Sequence, residues 1–397
     1  MQLAPSYHKF KRKTAETTRP TLYLGTHLRH RCLPVLLSAF FFSASTTTGF
    51  SQSLTKVFVD AVESQQVVGA QLIEGSTQLA EVNSVNFGFT SPDRRNRVTE
   101  NTMFCIASCS KPLISCMIFT LVEKRQLDLN SPIHQWLAAF NATQLSDGTP
   151  TASPTLKQLL AHRAGIYSQK ENPNAQQLSA IRDFRLTLSQ SVNLISQQSL
   201  QSHPGSRYAY SGAGYCLIGA IAEKATHQPI EKILNVQLCK PLGMSSTTFF
   251  PHRLTGRVVA TGGASRWTSP HLLGDDLQLP LVGGSIHTTA LDLQRFTRMV
   301  ADRGIYNKQP IMDATTWSQY VSQPYLMQRY GYGWTRTVTG NEIVLSHSGS
   351  LPPSQAMLQI NLRTRKYTIA LWTLANPGNS IATAKLRYQI RQALDGT

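Results

Sequence analysis

The chain has 397 residues, 41% of them hydrophobic and 15% charged, enough to bury a sizeable core in one large domain or two intimate ones. That balance excludes a disordered chain. Of the formal net charge of +17, +6 falls in residues 1–50, where Lys9, Lys11, Arg12, Lys13, Arg19, Arg29 and Arg31 face Glu16, and +11 belongs to the body.

The basic leader runs into "CLPVLLSAFFF" (Cys32 to Phe42) and then the small polar run "SASTTTGFSQS". A charged start, an apolar stretch too short to span a bilayer and a small-residue exit make the pattern of a secretory signal. Residues 1–50 are therefore expected to be an export leader, with an uncleaved membrane anchor or a mis-chosen start codon as alternatives. The protein is expected to be exported, periplasmic or secreted. No later stretch approaches the ~20 apolar residues of a transmembrane helix.

After the leader, "LTKVFVDAVESQQ" has helical apolar spacing, and "VVGAQLIEG" with "TQLAEVNSVNFGFT" alternates like two strands joined by a turn. From Phe104 to about Gln323 the texture is helical, as in "TLKQLLAHRAGI", "SRYAYSGAGYCLIGAIAEKA" and "TTALDLQRFTRMVADRG". Strand texture returns in "YGYGWTRTV", "EIVLSH", "AMLQINL" and "KYTIALWTLA", and "SIATAKLRYQIRQAL" closes the chain as an amphipathic helix. Strands at both ends with helices between predict an α/β or α+β fold. One sheet would be completed by residues 51–103 and 330–397, with residues 104–329 as a mainly helical insertion.

Chemistry concentrates in "CIASCSK", where Ser108 precedes Lys111 by three positions at the mouth of the apolar run "PLISCMIFTLVEKRQ". A helix tolerates Pro112 only in its first turn, so the helix begins close to Ser108. Ser108 then sits at the positive end of the helix dipole, with Lys111 on the same face about 5–6 Å away at Cβ. A serine hydroxyl is a weak nucleophile until a neighbouring base takes its proton, and a desolvated lysine is one such base. The spacing alone is weak, because Ser53 and Lys56 repeat it just after the leader.

The six cysteines are too few for a disulfide scaffold. Cys105, Cys109 and Cys116 fit small core positions at helical spacing, and Cys216 with Cys239 remain a possible pair. No HExxH or C-x-x-C suggests a metal, and no G-x-S-x-G elbow, P-loop or G-x-G-x-x-G fingerprint appears. No cofactor is expected. Lysines and arginines are scattered rather than clustered, which argues against nucleic acid and for a basic surface facing anionic cell-wall polymer or membrane.

The block "TMFCIASCSKPLISCMIFTLVEKRQLDLNSPI" resembles the nucleophile segment of the β-lactamase-related serine hydrolases, which include class C β-lactamases, D-alanyl-D-alanine carboxypeptidases, D-aminopeptidases and esterases. The likeness continues collinearly through "PGSRYAYSGAGYCLIGAIAEKA", "GGSIHTTALDLQRFTRM" and "YGYGW…LSHSGSLPPSQAMLQI", over about residues 55–375. It implies a β-lactamase/penicillin-binding-protein-like fold with an antiparallel sheet flanked by helices.

The resemblance also implies a site. The family's Tyr-x-Asn motif falls on Tyr210-Ser211-Gly212, favoured over nearby Tyr208, so Tyr210 would share proton handling with Lys111 while Gly212 lacks the family's amide. The Lys-Thr-Gly-like triplet falls on His347-Ser348-Gly349, followed by Ser350. Gly349 would let substrate approach the strand, the amides of Ser108 and Ser350 would form the oxyanion hole, and Tyr210 or His347 would help water deacylate the enzyme. His162 is expected to shape a loop. The implied activity is an acyl-enzyme hydrolase of small esters or D-amino-acid amides and peptides. The alternatives are a penicillin-binding D,D-carboxypeptidase or class C-like β-lactamase, and a non-catalytic cell-wall peptide-binding descendant.

Overall fold

The computed structural model describes residues 52–79, 81–265 and 269–395, all of which fall in one compact unit, residues 48–397. The expected leader lies outside the described residues.

Strand β1 (Val67–Ser76) is buried along its whole length, which is what a ten-residue run such as "VVGAQLIEGS" needs when it is covered on both faces. Its period of two divides the burial. Ala70 and Leu72 face one apolar cluster and Ile73 faces another. The sheet order is β2-β1-β6-β5-β4-β3, with β2 (Glu81–Gly88), β3 (Thr335–Thr339), β4 (Glu342–Leu351), β5 (Ser354–Asn361) and β6 (Lys366–Leu374). Every neighbouring pair is antiparallel, so the two chain ends meet where β1 pairs with β6. The antiparallel α+β expectation holds.

Helices from the two ends, α1 (Gln52–Glu63) and α6 (Ser380–Asp395), cover one face, where Leu54 and Phe58 pack with Trp372, Leu386 and Ile390. The helical segment covers the other. At its centre α2 (Ser110–Glu123) is buried from Ser110 to Leu121, as expected of a helix apolar on all sides. Pro112 stands in its first turn. Among the described residues no helix is long and apolar enough to cross a membrane. Cys105, Cys109, Cys116, Cys216 and Cys239 are all buried free thiols, so the open possibility of a Cys216–Cys239 bridge is not realised.

Candidate active site

The nucleophile segment enters through a two-residue ladder, Phe104–Cys105 against His287–Thr288, and the Ile106 N–H continues it to the Ile286 carbonyl at 2.9 Å. Ala107 then takes a left-handed φ of 47°, unusual for a residue with a side chain, and opens a single 3-10 turn (Ala107–Cys109) that runs into α2. Such backbone costs of order 1 kcal/mol and persists only where its surroundings fix it. Here β4 fixes it: a Cβ on Gly349 would stand 2.2 Å from the Ile106 carbonyl oxygen, so only glycine lets the strand pass this close. The Ser110 hydroxyl donates to the Ala107 carbonyl at 2.6 Å. Ser108 is half-buried in the wall of an open cleft, and its N–H lies in the first turn, where no intrahelical acceptor exists.

Lys111, 2% exposed, donates from Nζ to the Gly283 carbonyl at 2.7 Å and lies 4.7 Å from the ring centre of Tyr210 and 5.1 Å from that of Tyr215. Burial above all, with the Lys170 and Arg182 cations adding to it, pushes its pKa down to about 7. At neutral pH a large share of Lys111 is therefore free amine. Glycine at 283 leaves room beneath it, since a Cβ there would lie 2.9 Å from both Nζ and the Tyr215 Cβ.

Burial drives the Tyr210 pKa well above the ordinary phenol value, with the nearby Ser108 hydroxyl opposing it in part. A resting tyrosinate is disfavoured, and Tyr210 stands as a phenol. It is placed by the residue next to it in the chain. Ser211 caps α4 (Gly212–Thr226) by accepting the Gly214 N–H at 3.0 Å, and donates to the Tyr167 carbonyl at 2.7 Å. His162, buried and also left-handed at φ 56°, accepts the Ser211 N–H on Nδ1 at 3.1 Å, with its ring centre 4.4 Å from that of Tyr210. His162 thus shapes the turn behind the tyrosine. Burial, then the Lys111 charge, holds its pKa well below the usual histidine value.

At Gly212 the space left by the missing asparagine is occupied. The Gly212 N–H donates to Oε1 of Gln169 at 2.8 Å, and a Cβ built on Gly212 would lie 3.5 Å from that oxygen. Gln169 lines the cleft beside Ser108 and Lys111, so a side-chain amide is present, supplied from another segment.

Both ring nitrogens of His347 are engaged. Nδ1 lies 2.9 Å from the Ser348 carbonyl, which can only accept, so Nδ1 carries the proton. Nε2 is then an acceptor, and the Tyr330 hydroxyl donates to it at 3.1 Å. With burial pushing its pKa down to about 3, His347 is held as the neutral imidazole, protonated on Nδ1 alone. Ser348 and Ser350 are exposed, and Ser350 lines the cleft with Ser108. Pairing of β3 with β4 ends at Ser346, beyond which the Ala107–Cys109 turn packs against the strand. Among the described residues no three His, Cys, Asp or Glu side chains gather as metal ligands.

A family model described as Beta-lactamase matches residues 54–394. Esterase EstB of Burkholderia gladioli is 28% identical over 208 residues, 49% of this chain and 50% of that protein. Penicillin-binding protein 4* of Bacillus subtilis is 24% identical over 311 residues, 72% of this chain and 64% of that protein. The chain thus spans between half and two-thirds of the length of these relatives. Among solved structures, EstCE1, described as a hydrolase with promiscuous acyltransferase activity, superposes with a TM-score of 0.71 at 21% identity, covering 86% of this chain and 98% of that one. The D-amino acid amidase of Ochrobactrum anthropi does so with a TM-score of 0.65 at 21% identity, covering 87% of this chain and all of that one. A family match over nearly every described residue, on a fold that brings Ser108 and Lys111 to one cleft, shows that the chain belongs to the beta-lactamase family of serine hydrolases.

Proposed function

We propose that the protein hydrolyses small esters or D-amino-acid amides through an acyl-enzyme on Ser108. The observation that carries this is the fully buried Lys111, whose pKa near 7 makes a general base of a residue that is ordinarily an acid. Lys111 draws the Ser108 proton, with the Tyr210 hydroxyl, beside both, as the relay. As Ser108 Oγ bonds the substrate carbonyl carbon, the N–H groups of Ser108 and Ser350 stabilise the oxyanion. The proton passes through Tyr210 to the leaving alcohol or amine. Water then enters by the same route in reverse, giving the acid and restoring Ser108. His347, with both nitrogens engaged, takes no proton in this scheme.

Esters and D-amino-acid amides are preferred over β-lactams because the strand offers a neutral histidine where an ammonium would hold a carboxylate, and because the similar proteins include an esterase and a D-amino acid amidase. Gln169 supports the runner-up, a penicillin-binding D,D-carboxypeptidase or β-lactamase, since its carboxamide returns an amide partner to the Gly212 position. We place the protein outside the cytoplasm on the strength of the leader's composition, with its basic body towards anionic cell-wall polymer or membrane.

Intact mass after exposure to a fluorophosphonate, and separately to penicillin, tests both readings. An adduct of one equivalent with the fluorophosphonate, absent in Ser108→Ala, is expected. A penicillin adduct would favour the runner-up. No adduct with either reagent on folded protein would instead indicate a binding-only descendant.

A further inference from the structure

The loop between α5 (Ala314–Tyr320) and β3 ends in an apolar tip. Leu326 is 94% and Met327 100% exposed, more than any other large apolar side chain among the described residues. Single exposed apolar residues are ordinary, but two in succession at full exposure are costly in water unless something covers them. The tip is firmly built. Gln328 is buried, and its Nε2 donates to the Ala161 carbonyl at 3.0 Å and the Tyr330 carbonyl at 2.7 Å, while its Oε1 accepts from Arg163 Nε at 2.6 Å. Met327 takes a left-handed φ of 62°, and the Gln328 N–H closes the turn on the Tyr325 carbonyl at 3.4 Å. Such backbone persists only where its surroundings fix it. The inward-pinned glutamine fixes it here, and Leu326 and Met327 are left outside.

Cations stand at the base of the tip. The Arg163 guanidinium lies 4.6 Å from the ring centre of Tyr325, and Lys157, on α3 (Leu156–Leu160), has its Nζ 5.5 Å from it. Arg329, exposed, follows the turn in the chain. Among the described residues none of these three is paired with a carboxylate. Both segments that build the region are free of acids, since no Asp or Glu occurs in residues 148–170 or 314–341.

We infer that the Leu326–Met327 tip docks the protein on an anionic lipid surface, inserting its two apolar side chains while Lys157, Arg163 and Arg329 meet the headgroup phosphates. An anionic wall polymer would draw the cations but gives Leu326 and Met327 nowhere to go. A bilayer serves both, with apolar side chains at the acyl boundary and cations at the charged surface above it. The half-buried Tyr325 beneath the tip suits the same interfacial depth. At most about 11 Å of extended chain separates Met327 from Tyr330, whose ring centre lies 6.0 Å from that of Tyr210. Docking therefore holds the catalytic layer close to the lipid. This inference goes beyond the hydrolase proposed above and does not depend on it.

The test reads the tip itself, because the basic and partly apolar leader is a membrane-seeking sequence in its own right. Leu326→Trp and Met327→Trp are made separately in the full chain, and emission is taken as the difference from the native protein. With vesicles of phosphatidylcholine and phosphatidylglycerol, the new tryptophan is expected to shift to the blue and to be quenched by lipids brominated along the acyl chain. Phosphatidylcholine alone should require at least about 10-fold more lipid for the same shift, and added salt should raise the requirement on anionic vesicles. Arg329→Gln in the Leu326→Trp background should raise it by about fivefold, the share of one cation. Leu326→Ser with Met327→Ser should leave turnover of a water-soluble ester within about twofold, so that docking and chemistry are read apart. No shift at either position on anionic vesicles overturns the inference, as does an equal shift on neutral ones. A shift without lipid that grows with protein concentration would assign the tip to a second copy of the chain and overturn it too. So would an anionic polymer that binds the chain while vesicles leave the tip emission unmoved.

Discussion

Lys56 and Lys111 each stand three positions after a serine, Ser53 in one case and Ser108 in the other. Lys56 projects from α1 with its side chain 72% exposed, and its Nζ lies 2.8 Å from Asp60 Oδ1. The hydrogen bond and charge of Asp60 push its pKa up, so Lys56 keeps its proton. Lys111 is 2% exposed, faces a carbonyl and two aromatic rings, and its pKa falls to about 7. Spacing brings a lysine within reach of a serine. Desolvation beside other cations turns that lysine into a base. The difference is already visible in the neighbouring residues, since Lys111 opens a long apolar run whereas Lys56 has an acid four positions further on.

The widest separation between the two copies is expected from the serines. Ser108→Ala should lower ester turnover by about 10³-fold or more, whereas Ser53→Ala, made as the paired control, should stay within about twofold; comparable losses in both would dissolve the contrast. For the lysines, Lys111→Met is expected to cost about 10²-fold to 10⁴-fold in kcat/KM, while Lys56→Met changes stability by no more than about 0.5 kcal/mol, as surface substitutions do. The pH profile sharpens the same point. Lysine is the base when unprotonated, and its folded pKa is depressed, so kcat/KM should climb about tenfold per pH unit below a midpoint near 7 and level off above it. A limb rising only near the ordinary lysine value would mean that Lys111 behaves like Lys56. The smallest effect concerns the strand wall. Tyr330→Phe leaves buried Nε2 of His347 without its donor, which should cost about 1–3 kcal/mol in chemical denaturation and alter the pH midpoint little.

Much of the architecture was legible because it is written in short-range pattern. The alternation in β2 and the all-apolar run of α2 each declare a burial pattern, and terminal strands around a helical middle imply one sheet. The positions of Ser108, Lys111 and Tyr210 could be read from motif and family likeness together. What escaped depends on contacts between distant segments. Gln169 reaches Gly212 across 43 positions and Tyr330 reaches His347 across 17, and neither residue stands out in its own segment. The engaged state of His347 was hidden for the same reason, since a histidine's tautomer is fixed by what surrounds it.

The five buried thiols have a practical consequence. Burial pushes every one of their pKa values up, so none offers a thiolate to reagents in the surrounding water. Cys109 ends the nucleophile turn, its Sγ 3.3 Å from the His347 carbonyl oxygen, and Cys216 lies within α4. A water-soluble thiol reagent can reach them only when the chain opens. The rate at which the folded unit takes up label thus becomes a clock for that opening, and peptide mapping of which cysteine is labelled first would show whether the catalytic layer or the helical periphery loosens before the rest.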